Sequence, residues 1–227
     1  MTEPRLSVEA LGSVIAEPRR LRMLQELLGG VPLPAGALAA RIGVAPSTVT
    51  GHLARLEEAG LVRVERHGRA RLASIADATV AEAVEALLRM STEPEVTSWS
   101  GSDRRLAMRR ARSCYDHLAG DLGIAVTDYV VEHRWVHRDV GAAAAPIETI
   151  AQGLGLDLEV GDSRRPLVRG CTDWTARRPH LAGRLGAAIL TALLSDGWLA
   201  RRREDRALRV TERGEDRLAA LGIAIAR

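Results

Sequence analysis

The sequence predicts a mainly α-helical chain with small β-hairpins, divided into two parts. Three observations carry this reading. Apolar residues, chiefly Leu, Ala, Val and Ile, recur at helical spacing along most of the 227 residues. Two short alternating stretches, Leu61 to Arg66 and Ala70 to Ile75, flank a turn at His67-Gly68-Arg69, the pattern of a β-hairpin. At 91–102 the periodicity lapses into Ser, Thr, Pro and Gly, which marks a linker between a domain at 1–90 and another at 103–227.

The elements of the first part follow in order. Glu17-Pro18 places proline where the first turn of a helix tolerates it, and Leu21, Leu24, Leu27 and Leu28 repeat on one face before Gly29-Gly30. A short helix spans Ala35 to Ile42 and stops at Gly43. Ala45-Pro46-Ser47 opens the next helix, with Ser47 placed to cap it. Val49, Leu53 and Leu56 form its buried face, and the hairpin and an apolar-rich helix, Asp77 to Met90, close the domain.

Helix, short turn, helix, hairpin is the order of a winged helix-turn-helix. With Val49, Leu53 and Leu56 inward, Thr48, Gly51, His52 and Arg55 fall on the opposite face of the second helix. Hydroxyl, imidazole and guanidinium donors around a glycine suit phosphate oxygens and base edges in a major groove. The hairpin adds Arg63, Arg66, His67, Arg69 and Arg71, which suit the flanking backbone or a minor groove. A polar helix face by itself is more often simply solvated, and an Arg-rich hairpin a soluble edge. The ordered combination favours DNA.

Composition supports this only through placement. The chain holds 32 basic residues, all arginine, against 29 acidic ones, for a net charge of +3. Absence of Lys, Phe and Asn is the mark of a GC-rich coding sequence, not of a function. Hydrophobic content of 46% with 27% charged residues describes a globular protein. No apolar run approaches the roughly 20 residues of a membrane span, the N-terminus lacks the layout of a signal peptide, and two cysteines do not make a disulfide scaffold. A cytoplasmic protein with no membrane partner and no cofactor is expected.

Residues 11–75 resemble the ArsR family of bacterial winged-helix repressors. The likeness rests on Ala16-Glu17-Pro18-Arg19-Arg20-Leu21-Arg22, Ser47-Thr48-Val49-Thr50-Gly51-His52-Leu53, Glu58-Ala59-Gly60-Leu61-Val62 and Arg66-His67-Gly68-Arg69. It implies a homodimer on an inverted-repeat operator of double-stranded DNA, repressing until an effector lowers affinity, and it adds Ser47 and Thr50 to the candidate DNA contacts. It also implies dimer contacts around Leu11–Ile15 and Val80–Leu88. The metal-binding Cys-x-Cys of some family members is replaced by Val31-Pro32-Leu33-Pro34-Ala35-Gly36, and the helix after the hairpin, Asp77 to Met90, holds no His or Cys.

The second part reads as a duplicated, α-rich unit serving as sensor and dimerisation domain. Cys114-Tyr115-Asp116-His117-Leu118-Ala119-Gly120-Asp121-Leu122-Gly123 is answered by Cys171-Thr172-Asp173, six further residues, and His180-Leu181-Ala182-Gly183-Arg184-Leu185-Gly186. Each copy runs into an apolar helix ending near a tryptophan, Trp135 or Trp198, then a short helix with a Leu-Gly tail. The second copy also shows a hairpin around Glu204-Asp205-Arg206 and a helix that Thr211 is placed to cap, a winged-helix-like half. The tail is similar to one carried by a subset of ArsR-type regulators.

Three readings of the paired signature stand side by side. The two Asp cap helices and the two His satisfy buried backbone groups. Alternatively the copies face each other around a small-molecule effector, with Tyr115, Trp135, Trp174 and Trp198 as walls and Asp116, His117, Asp173 and His180 as polar contacts. Or Cys114, His117, Cys171 and His180 form a metal set or a thiol switch, although Cys171 and His180 lie nine apart. Cys114 and His117 would share one face of a helix, which also admits nucleophilic chemistry, but there is no P-loop, G-x-S-x-G or H-E-x-x-H, and an enzyme is not expected. Arg104, Arg105, Arg109, Arg110 and Arg112 read as the solvated face of a helix.

Overall fold

A computed structural model describes residues 6–68, 70–90, 99–203 and 205–224, the side chains of 99–102 excepted. Two compact units emerge, Met1–Ser91 and Thr92–Arg227. Arg69, Glu204 and most of the expected linker lie outside the described residues. Among the described residues no helix is long and apolar enough to cross a membrane.

The first unit begins with α1 (Val8–Ile15), whose first turn is capped by Ser7. Arg20, buried on the next helix, donates to the Ser13 carbonyl at 2.9 Å and to that of Val14, which holds the C-terminal end of α1. That next helix, α2 (Pro18–Leu27), starts from Glu17 with proline in its first turn. After it come β1 (Leu33–Pro34), α3 (Ala35–Ile42), α4 (Pro46–Glu58), β2 (Val62–His67), β3 (Ala70–Ile75) and α5 (Ala78–Met90). Gly43 ends α3 at φ 72°, the left-handed conformation that glycine supplies without steric cost. The strands form an antiparallel sheet in the order β1-β3-β2. Leu24, Leu27 and Leu28 of the α2 segment, Leu38 and Ile42 of α3, and Val49, Leu53 and Leu56 of α4 close on Val62, Ala73 and Ile75 as one core.

One local expectation changes. Ala45, not Ser47, is the N-cap residue of α4, and no side chain caps that helix. Proline at the first helical position sets the start two residues earlier, so Ser47 lies inside the first turn with its side chain exposed.

The second unit runs α6 (Trp99–Arg110), β4 (Arg112–Cys114), β5 (His117–Ala119), α7 (Asp121–Glu132), α8 (Ile147–Leu154), β6 (Arg169–Thr172), β7 (Pro179–Ala182), α9 (Gly183–Ser195), β8 (Leu199–Arg201), β9 (Leu208–Val210) and α10 (Glu212–Ala220). Helix α6 starts four residues inside the segment read as linker. Its arginines are a solvated face only in part: Arg105 and Arg109 are exposed, Arg109 lying 3.9 Å from Asp121 and Arg110 3.4 Å from Glu215 in exposed pairs, whereas Arg104 pairs with buried Asp205 at 3.6 Å. Arg112 leaves the helix altogether and lies fully buried in β4.

The two signature segments fold alike, and not as helices. Each is a two-stranded antiparallel hairpin, β4–β5 and β6–β7, leading directly into a long helix, α7 or α9. The first glycine of each His-Leu-Ala-Gly stands at the strand-to-helix junction with positive φ, 81° at Gly120 and 78° at Gly183. The three-residue-later glycine seats its helix on the hairpin it follows: a Cβ at Gly123 would lie 2.6 Å from the Leu118 carbonyl oxygen, and one at Gly186 2.4 Å from that of Leu181. Packing is also reciprocal, with α7 on β7 and α9 on β5, while β5 and β7 adjoin each other. Thr127 of α7 fixes one of these crossings, accepting the Leu181 amide at 2.8 Å and donating to the Gly123 carbonyl at 2.7 Å.

Past each helix a hairpin is present in unequal form. Strands β8 and β9 pair over Leu199↔Val210 to Arg201↔Leu208, whereas the first segment retains only the bridge Val136↔Ala143. Thr211 caps α10, its hydroxyl accepting the Gly214 amide at 3.0 Å.

Candidate nucleic-acid interface and a buried thiol–imidazole cluster

Helix α4 presents Ser47, Thr50, Gly51, Ala54 and Arg55 to solvent. Nothing lies within 4 Å of a Cβ built on Gly51, so a neighbouring backbone can approach there. The Thr50 hydroxyl donates to the Pro46 carbonyl at 3.0 Å. Thr48 and His52 sit at the rim rather than the centre of this face, both half-buried. His52 Nε2 is shut from solvent with no hydrogen-bond partner among the described residues. Burial, reinforced by the charges of Arg20, Arg19 and Arg55 against that of Glu17, lowers the His52 pKa below its ordinary value.

The hairpin β2–β3 stands beside this helix, fastened by a hydrogen bond from the Val64 amide to Glu57 at 3.3 Å. Arg63, Arg66, His67 and Arg71 are all exposed on it. Arg66 and Arg71 are direct cross-strand partners and share a face of the ribbon, while Arg63 and His67 take the other. Two cations directly opposite on one face disfavour each other unless an anion lies between or beside them. Arg71 is 3.6 Å from Glu57 and Arg63 is 4.0 Å from Glu65, both exposed pairs of small energetic worth.

In the second unit the hairpins align what sequence distance separated. Cys114↔His117 and Cys171↔His180 are each cross-strand partners, so the larger spacing of Cys171 and His180 is a longer turn, 173–178, closed by one further strand pair, Thr172↔Pro179. All four side chains are buried, and their ligand atoms lie within 4.8 Å of one another. The thiol sulfurs are 4.0 Å apart, the two imidazole Nε2 atoms 3.1 Å apart, and the rings stack at 5.1 Å between centroids. The hydrogen bond with Cys114, with further ones from His117 and His180, holds the Cys171 thiol far below its usual range against the effect of burial. For His117, burial disfavours the cation, but hydrogen bonds to Asp116 and Cys171 outweigh it and raise the pKa.

The acidic residues of the signature serve turns and ion pairs, not helix caps. Asp116 meets His117 Nδ1 at 3.3 Å and is clasped by both terminal nitrogens of Arg165. Asp173, fully buried, accepts from Arg112 at 2.7 Å, from the Gly120 and Thr175 amides at 2.8 Å, and from the Thr175 hydroxyl and Ala176 amide. Helices α7 and α9 have no capping side chain.

The aromatic residues expected as cavity walls are committed to packing. Trp198 is in the apolar core of the unit, Trp135 meets Tyr129 edge-on at 5.7 Å, and Trp174 lies under the Arg112 guanidinium at 5.0 Å. Tyr115 holds the β4–β5 turn at φ 57°. A cavity of about 650 Å³ in this unit is lined instead by Leu106, Ala107, Arg109, Arg110, Leu208 and Val210 among others, none of which the sequence offered as an effector contact. The buried pairing of Arg112, read from the sequence as part of a solvated helix face, and that of Arg165 were missed, because partners 61 and 49 residues away carry no local signal.

Residues 15–65 match a helix-turn-helix domain family. An HTH-type transcriptional regulator of Bacillus subtilis, YdfF, is 34% identical over 216 residues, spanning 92% of this chain and 94% of that protein. The HTH-type transcriptional regulator CmtR of Mycobacterium tuberculosis is 40% identical over 80 residues, or 35% of this chain and 67% of the relative. Among solved structures, HlyU from Vibrio cholerae aligns with a TM-score of 0.35 at 28% identity, over 37% of this chain and 88% of that one. With a winged helix-turn-helix in its first unit and near full-length likeness to a regulator of that class, the chain belongs to the HTH-type, DNA-binding transcriptional regulators.

Proposed function

We propose that the protein is a homodimeric repressor that binds an inverted-repeat operator through α4 and the β2–β3 wing, with a second unit, built from a duplicated hairpin–helix element, that senses an effector. The observation that carries the DNA contacts is the exposed face of α4 standing beside a ribbon with Arg66 and Arg71 opposed on one face. Ser47, Thr50, Gly51 and Arg55 enter the major groove, and Thr48 and His52 border it. Arg66, His67 and Arg71 meet the flanking phosphates, which supply the anion that relieves the opposed arginines. Arg69, at the tip, completes the set by its place in the sequence.

Dimerisation rests on the faces of α1 and α5. Helix α1 buries none of its side chains within the chain, and Val8 and Leu11 are exposed, as are Leu87 and Met90 on α5. A groove of about 630 Å³ runs between these helices, lined by Leu11, Ile15, Val80, Ala83, Val84 and Leu87 among others. A second copy covering this face places two recognition helices on one operator.

Selection of binding sites from a random duplex pool tests the reading. An enriched inverted repeat with half-site centres about one helical turn apart is the expected result, with affinity falling steeply between about 50 and 200 mM salt. A pool with no enriched sequence, or a single unpaired half-site, overturns it.

A further inference from the structure

Cys114, His117, Cys171 and His180 make a buried S₂N₂ constellation whose spacing is that of a tetrahedral metal site. With bond lengths of about 2.3 Å to sulfur and 2.0–2.1 Å to nitrogen, a tetrahedral zinc ion separates its two sulfurs by about 3.8 Å and its two nitrogens by about 3.3 Å. The structure has 4.0 Å between the sulfurs and 3.1 Å between the Nε2 atoms, with all four within 4.8 Å. The sulfur-to-nitrogen separations, up to 4.8 Å against about 3.6 Å around a tetrahedral ion, close with side-chain movements of about an ångström.

The imidazoles supply a second, independent argument. Each His turns Nε2 toward the cluster and Nδ1 toward a carboxylate: His117 Nδ1 is within hydrogen-bond distance of Asp116 at 3.3 Å, while His180 Nδ1, buried with no hydrogen-bond partner among the described residues, has the Asp173 charge at 3.9 Å. A carboxylate at Nδ1 favours the proton there, which leaves the Nε2 lone pair facing inward, as in metal-ligating histidines. With both rings so oriented, two Nε2 lone pairs confront each other at 3.1 Å. Giving one Nε2 the proton turns that ring's Nδ1 lone pair toward its carboxylate instead. A cation between the rings satisfies both at once. Asp116 is held by Arg165 and Asp173 by Arg112, so the outer carboxylates are themselves oriented.

We infer that the second unit carries a closed four-ligand site for a zinc-class divalent ion, bound by the thiolates of Cys114 and Cys171 and by Nε2 of His117 and His180, which clamps hairpin β4–β5 to hairpin β6–β7. Two soft thiolates with two imidazoles in a tetrahedral arrangement select zinc over magnesium or calcium. Four protein ligands leave no open position, as in structural sites. Each hairpin contributes one Cys and one His, so neither can hold the ion alone. The inference concerns the second unit only and is independent of the DNA-binding reading.

The test uses the full-length chain, purified under a thiol reductant, stripped with a chelator and titrated with Co²⁺ and then Zn²⁺. One Co²⁺ per chain is expected, with the strong visible bands of a tetrahedral ion and thiolate-to-cobalt charge transfer, bleached by one equivalent of Zn²⁺. Asp116→Asn keeps all four ligands, so its spectrum should persist while affinity falls about 10–100-fold, as for other outer-shell partners. Cys171→Ser should lose part of the charge-transfer band, and its circular dichroism shows whether it folds. The wild-type titration decides the matter even where variants fail. Weak octahedral-type absorption, no saturable binding, or thiols that join as a disulfide in place of binding metal each overturn the inference. Site selection with the same preparations reports the DNA-binding reading separately.

Discussion

The Arg112–Asp173 pair offers the sharpest test of how the second unit is held together. Both side chains are fully buried, the guanidinium donates to the carboxylate at 2.7 Å, and its other terminal nitrogen reaches the Met108 carbonyl at 3.0 Å. Burial alone would raise the Asp173 pKa, but the Arg112 charge and the Thr175, Ala176 and Gly120 donors outweigh it and hold the carboxyl far below its ordinary range. Removing one partner of such a pair strands a charge in low dielectric and typically costs about 3–5 kcal/mol. Arg112→Met belongs near the lower end, about 3 kcal/mol, because Asp173 keeps its turn and amide donors. Asp173→Asn strands the guanidinium and should cost at least as much. The double variant leaves neither charge of the pair, so it should cost no more than the worse single, a coupling of at least about 3 kcal/mol. Urea unfolding followed by tryptophan fluorescence is the assay, since Trp99, Trp135, Trp174 and Trp198 all fall within Thr92–Arg227 and report that unit alone. A 3 kcal/mol loss lowers the midpoint by roughly 1–3 M. Single variants within about 1 kcal/mol of the parent, or costs that add to within about 0.5 kcal/mol, refute the reasoning.

Three further outcomes follow from the first unit. Arg66→Ala should weaken specific and non-specific DNA binding alike and reduce the salt slope by about 1, whereas Arg55→Ala should cost about 1–3 kcal/mol mainly on the selected site; anisotropy titrations at several salt concentrations separate the two. Leu87→Glu places a charge on the exposed apolar face of α5 and should shift sedimentation from dimer to monomer with helicity unchanged; an unaltered dimer refutes the α1–α5 interface. The pKa of His52 is lowered in the folded state, so near and below its unfolded value of about 6.5 the unfolded chain takes up the proton first. Stability of the first unit should therefore fall as pH drops through that value, and His52→Gln should flatten the profile measured by hydrogen exchange.

The first unit was legible because its signals are local. Proline at the start of α2, Gly43 after α3 and the leucine spacing of α2 and α4 each determine structure within one or two turns, and the same residues form the core. The cap of α4 was misplaced by two positions, Ser47 for Ala45, since proline at the first helical position sets the start of the helix. The second unit was legible as two matching segments but not as hairpins. A three-residue strand such as Arg112–Cys114 is too short for alternation to show, and fully buried strands lack a polar face. Read as helix, Cys114 and His117 shared a face for the wrong reason; as strand partners they meet across a two-residue turn. Cys171 and His180 looked too far apart because spacing rules assume a local loop, while a hairpin cancels sequence separation through register.

The net charge of +3 conceals a division of labour that bears on the whole reading. In the second unit several arginines are committed to internal ion pairs, while others, Arg134, Arg138, Arg164 and Arg213 among them, stay exposed. Arg104, Arg110, Arg112, Arg165 and Arg178 each face a carboxylate of the same unit, at Asp205, Glu215, Asp173, Asp116 and Asp128. There arginine acts as a long-range staple, joining residues dozens of positions apart where aromatic side chains are scarce. In the first unit the exposed wing carries Arg63, Arg66 and Arg71, and two of these sit directly opposite each other. On this ribbon Arg63 and Arg71 have only exposed, weak pairs with Glu65 and Glu57, so the opposed Arg66 and Arg71 stand on a projecting edge whose charge an anionic partner can neutralise further. The ordered oxygens of a phosphate backbone, spaced along a groove that admits the adjoining helix, match it in sign and in shape.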